Sequence, residues 1–140
     1  MNDEMKFENA LEIIIEGGSP FPADAYRFVR DSLRQSMKEI RRRESGEERH
    51  VSGPELLEGF RRKMLKEFGP MSRSVLENWN IASTGDVGSI VFQLIEAGTF
   101  VGSRKDTRED FEDVFDFTEA FDEPFLPESQ RRRSALETEP

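Results

Sequence analysis

The chain has 140 residues, with 35% hydrophobic and 35% charged residues and a formal net charge of −9. That is enough for one hydrophobic core but not two, and the acidic balance disfavours a general nucleic-acid binder. The absence of cysteine excludes disulfides, thiol catalysis and thiolate metal sites.

The opening MNDEMKFENA has no basic start followed by an apolar run, so it does not read as a secretory signal. The apolar runs LEIII and SIVFQLI fall well short of the roughly 20 residues of a membrane helix. A cytoplasmic location is the expectation.

Glu4 to Glu16 predicts a first helix, with Phe7, Ala10, Leu11, Ile14 and Ile15 on its apolar stripe and Gly17-Gly18 ending it. A strand is the competing reading for the β-branched run Ile13–Ile15. A long second helix is expected from Pro22 to Arg43. Proline and Asp24 suit its first turn, and Arg41, Arg42 and Arg43 suit its last. Its inner stripe is Tyr26, Val29, Leu33, Met37 and Ile40.

Residues 44–49 read as a polar loop. Ser52 and Glu55 then have capping-box spacing, Val51 and Leu56 stand at the staple positions, and Leu56, Leu57, Phe60, Met64 and Phe68 make a buried face. Gly69-Pro70 stops this third helix. A fourth, Pro70 to Trp79, is expected to bury Met71, Val75, Leu76 and Trp79 and to end at Asn80. A fifth begins after Ser83 or Thr84, with Ser83 and Asp86 as its box. Its core residues are Val87, Ile90, Val91, Leu94 and Ile95, and Gly98 closes it.

Beyond Gly98 the periodicity weakens. A short β-hairpin or extended pair, Gly98–Val101 with 114–117 as a wing, is one continuation. Asp106 with Glu109 suggests an N-cap opening a short helix to about Asp113, and Phe117 to Phe121 suggests one further turn. The fold class is therefore mainly α, a bundle of about five helices. Residues 1–121 are expected to form the domain and 122–140 a disordered, charged tail.

Four stretches taken together resemble a family of short bacterial proteins of uncharacterised function. They are AYRFVRDSL, RHVSGPELLEGFRRKMLKEFGPMSRSVLENW, DVGSIVFQLIEAG and REDFEDVFDFTEAF. The resemblance implies a free-standing bacterial protein, and it carries no activity and no functional residue.

No catalytic set, cofactor or metal site is indicated by motif. His50 is the sole histidine and precedes a helix cap, so HExxH is impossible. The carboxylates Asp106, Glu109, Asp110, Glu112, Asp113 and Asp116 fail as an EF-hand loop, with Arg108 at position three and Phe111 at position six. Neither GxSxG nor a phosphate loop is present.

Charge is segregated along the chain. Residues 20–68 hold twelve basic against nine acidic residues, and residues 103–123 hold three against nine. Across 110–125, in and just after the acidic segment, Phe111, Phe115, Phe117, Phe121 and Phe125 alternate with carboxylates, a pattern suited to a docking strip. It has two readings: a clasp over the protein's own core, rimmed by Arg27, Arg30, Arg34, Arg41, Arg42 and Arg43, or a partner-binding motif. The expected function is a protein–protein interaction or regulatory module with a protein partner. The rival is a winged-helix-like nucleic-acid binder using Arg61, Arg62, Lys63 and Arg73 on phosphates. Its recognition helix DVGSIVFQLIEAG would lack Lys and Arg.

Overall fold

The computed structural model describes residues 3–44, 51–99 and 107–130. Five α-helices form a bundle: α1 (Asp3–Glu16), α2 (Ala23–Arg43), α3 (Gly53–Phe68), α4 (Ser72–Asn78) and α5 (Thr84–Glu96). A strap of short turns follows: 3₁₀ turns at Arg108–Phe111, Glu123–Phe125 and Glu128–Gln130, and a π turn at Thr118–Asp122. There is no strand among the described residues, so 114–117 does not pair as a wing. Phe100 and Val101, the other half of the expected hairpin, lie outside those residues, as do His50 and 131–140 of the expected tail. Residues 122–130 are described, and Glu123 is buried.

The local signals for α3 hold in full. The Ser52 hydroxyl accepts from the Glu55 N–H at 3.2 Å, and the Glu55 carboxylate accepts from the Ser52 N–H at 3.0 Å. Val51 and Leu56 are both buried beside this box. At α5 the expected box is displaced. The Ser83 hydroxyl makes no cap bond, and the Asp86 carboxylate accepts from Ala82 N–H at 2.7 Å. Asp106, the expected cap of the strap's first turn, lies outside the described residues; the turn is capped at Thr107, whose N–H donates to Asp110 at 2.7 Å.

The core joins Phe7 and Leu11 of α1, Tyr26, Val29 and Leu33 of α2, Leu57 and Phe60 of α3, Leu76 of α4, and Ile90 and Leu94 of α5. Three expected core residues face outward: Met71 is 60% exposed, Met37 40% and Ile15 38%. Pro70 ends up in a separate 3₁₀ turn, Gly69–Met71, which turns Met71 away. Ser72 takes the inner place, donating its hydroxyl to the Gly69 carbonyl at 2.7 Å. Asn80, at φ 62°, ends α4 as expected.

α1 is lightly attached. Phe7 and Leu11 are its only fully buried side chains among the described residues, and Ile13 is 71% exposed. Burying one Phe and one Leu contributes about 3–6 kcal/mol before the entropy of ordering is subtracted.

Phe111 closes the core from the strap. Its ring lies against Gly53 of α3 and Gly88 of α5, edge-to-face with Phe92 at 5.8 Å between centroids. A Cβ on Gly88 would meet the Phe111 Cβ at 2.6 Å, well inside contact distance. Gly88→Ala should therefore cost about 1–3 kcal/mol and Phe111→Ala about 3–5 kcal/mol. In a urea titration read by Trp79 fluorescence, the Gly88→Ala loss should shrink in a Phe111→Gly background, which removes both the ring and the Cβ that the new methyl would meet. Strictly additive losses would show that the two positions do not share this contact.

Candidate interaction surface

The strap turns most of its rings inward and most of its carboxylates outward. Phe111, Phe117 and Phe121 are buried, while Phe115 is half-buried over them. Phe117 and Phe121 meet edge-to-face at 5.2 Å, and Phe115 packs on both at about 6 Å. Phe125 stands 46% exposed. Glu109, Asp110, Glu112, Asp113, Asp116 and Glu119 form an exposed acidic row on the other side. The clasp arrangement is thus what these residues adopt, and it takes up four of the five rings.

The rim differs from expectation. Arg73 of α4 secures the strap, lying 3.6 Å from Asp122 and 3.5 Å from the Thr118 hydroxyl. Arg108, within the strap, donates to the Ser89 hydroxyl at 3.3 Å and stacks 5.6 Å from the Phe92 ring centroid. The basic face of α2 is directed elsewhere. Arg27 makes a two-pronged contact with Glu8 at 2.8 and 3.1 Å and reaches Asp24 at 3.1 Å. Arg30 holds Glu4 at 2.9 Å and Asp31 at 3.1 Å, with its guanidinium 4.2 Å above the Phe7 ring. Arg34 approaches Glu4 at 3.6 Å. These three arginines therefore bind α1. Residues 1–19 contain five carboxylates against one lysine, and that acidity was the available signal for this pairing.

Arg41, Arg42 and Arg43 are exposed at the far end of α2, where the helix dipole favours cations. Beside them a groove of about 410 Å³ runs between α2 and α3, lined by Ser36, Glu39, Ile40, Arg43, Pro54, Glu55, Glu58 and Arg62. Arg62 spans it, 2.9 Å from Glu39 and 3.8 Å from Glu58. The hydrogen bond from Arg61, with the charges of Arg61 and Arg62, holds the Glu58 carboxyl below its usual range despite partial burial. Among the described residues the Ser36 hydroxyl has no hydrogen-bond partner, and it occupies the space over Gly59 that a Cβ would fill. It therefore serves the close approach of the two helices.

A second cleft, of about 320 Å³, opens at the start of α5 between Ser83, Asp86, Ser89, Arg108, Glu112 and Asp113. Three carboxylates and one guanidinium share it. No cluster of three metal-binding side chains occurs among the described residues.

The cations suggested as phosphate contacts are engaged with carboxylates. Arg61 holds Glu58, Arg62 holds Glu39, Lys63 holds Glu67, and Arg73 lies between Glu77 and Asp122. The suggested recognition helix, α5, buries Thr84, Val87, Gly88, Ile90, Val91 and Leu94. No helix is long and apolar enough to cross a membrane among the described residues. Compared with protein-family models, curated proteins and solved structures, the chain matches none.

The α1–α2 contact titrates. The Arg27 hydrogen bonds hold the Glu8 carboxyl below the usual range against the opposing effect of desolvation, and the charges of Arg27 and Arg30 add to them. A carboxyl depressed in the folded state stabilises fully above its unfolded pKa, about 4.3 for Glu. That stabilisation is lost as pH falls through the lower folded value. Both partners are about 40% accessible, so screening keeps the effect small. Amide exchange in α1 should accelerate below about pH 4 relative to α3. Glu8→Gln should flatten that dependence, and an unaltered profile in this variant would remove Glu8 as its source.

Proposed function

We propose that the protein is a non-enzymatic protein–protein interaction or regulatory module of the cytoplasm. Its separated charges support this reading. An exposed Arg41–Arg42–Arg43 terminus lies on α2, and a row of exposed carboxylates lies on the strap. Buried Phe111, Phe117 and Phe121 hold that row against the core, so the carboxylates are presented in a fixed pattern. Preorganised charge of this kind steers encounter and selects partners more than it adds affinity. The half-exposed Phe125 beside the acidic row supplies an aromatic anchor of the sort that concentrates binding energy at interfaces.

A tagged pull-down from source-cell lysate, with and without nuclease, tests the reading. The wild-type chain should retain a stoichiometric protein through nuclease treatment. A variant with Arg41, Arg42 and Arg43 each changed to Glu should lose most of it, and the loss should resemble the effect of raised salt. Asp113→Asn with Glu119→Gln probes the acidic row in the same way. Capture unchanged by both variants would overturn the assignment of these surfaces. Recovery of nuclease-sensitive nucleic acid without protein would overturn the module itself.

A further inference from the structure

We propose that α1 is a displaceable plug, and that the groove it fills on α2 and α5 is a docking site for an acidic amphipathic helix supplied by a partner protein. The proposal rests on the interaction reading above and names the chemistry of the partner.

Three observations carry it. First, the plug is thinly held. α1 packs across α2 and α5 through Phe7 and Leu11, with Ile14 half-buried beside them. Ion pairs at its edge add to these contacts, where the Glu4 and Glu8 side chains are 53% and 40% accessible. Such pairs are weakened by salt and by competition.

Second, the chain has a pivot with an anchor behind it. Gly18 has φ 91°, and nothing lies within 4 Å of the place a Cβ would occupy. Directly after it the chain is fastened. The Ser19 hydroxyl bonds that of Tyr26 and accepts from the Phe21 N–H at 3.0 Å. The Tyr26 hydroxyl donates to Gln93 of α5 at 2.7 Å, and the Asn80 side chain donates to the Pro20 carbonyl at 2.8 Å. α1 can therefore swing away at the two glycines while α2 and α5 stay joined.

Third, the groove is complementary to acid. Removing α1 takes Glu8 from Arg27, Glu4 from Arg30 and Arg34, and the Phe7 ring from the Arg30 guanidinium, which keeps only Asp31 among the ion pairs described above. Arginines bordering an apolar surface favour a helix with two carboxylates four residues apart and a large apolar residue between them. α1 has that pattern in Glu4, Phe7 and Glu8.

The test uses the full chain and a fluorescent peptide of residues 3–16 as the probe. Wild-type chain, its groove filled, should bind the peptide weakly. Leu11→Asp in the chain's own α1 empties the groove, and apparent affinity should rise by about tenfold or more as the competent fraction grows. Adding Arg27→Glu to that variant should reverse the gain, and a peptide carrying Glu8→Arg should recover it. Binding to Leu11→Asp no tighter than to wild type, with circular dichroism and Trp79 emission showing the other helices intact, would overturn the proposal.

Should Leu11→Asp unfold the whole chain, amide exchange of the wild type decides. α1 must open as a unit ahead of α2, α3 and α5, and more readily at high salt. Exchange of α1 only with global unfolding would overturn the proposal. A dimer in which each groove holds the α1 of a second copy would overturn the assignment to a partner. Peptide binding without lysate capture at Arg41–Arg43 would keep the groove and remove the module's other surface, and the converse would remove the groove alone.

Discussion

The ring of Phe111 rests where two helices lack side chains, on Gly53 at the start of α3 and Gly88 in α5. Much else depends on that fit. It fixes the distance between α3 and α5, and it draws the strap close enough for Phe117 and Phe121 to reach the core. Interiors pack at crystal-like density, so a site shaped to one ring admits neither a methyl on the glycine nor a gap in place of the ring. The rest of the strap needs few other fasteners. Arg73 and Arg108 pin its two sides, and Thr84 accepts from the Val114 N–H at 3.2 Å to hold the bend between them.

The consequence for function is a division of labour between rings and charges. Alternating phenylalanine with carboxylate in an extended segment leaves open which set faces the protein. Here four of the five rings face in, so the exposed surface of the strap is largely carboxylate with a single aromatic, Phe125, at its end. The basic side of the molecule is divided in the same way. α1 occupies the first three arginines of α2 and leaves the last three exposed.

Helices were legible where the signal is local. The capping box before α3 spans four residues and needs no tertiary partner, so spacing alone located it. The stripes of α2, α3 and α5 were read largely correctly for the same reason. Met37 and Met71 were misplaced because periodicity gives a face and not its edges, and because the 3₁₀ turn at Gly69–Met71 rotates the following helix. The strap was harder to read. Its 3₁₀ and π turns have no single repeat, so its phenylalanines could be counted but not oriented. The α2 arginines faced two acidic segments of similar charge, and charge sign cannot choose between neighbours. The choice was made by apolar contact: Phe7 lies beneath Arg30, and the strap packs across α3, α4 and α5 instead.

Phe111 and Gly53 lie far apart in the chain, and this has a bearing on synthesis. α1 through α5 emerge from the ribosome before the residue that seals α3 against α5, so the nascent bundle carries an unfilled hollow bordered by Phe92 until residues 107–121 follow. Apolar surface exposed at that stage is the kind that chaperones hold and that drives aggregation. The hollow between α3 and α5 therefore closes only once the strap has been made, and a product cut short after α5 would lack the ring that fills it.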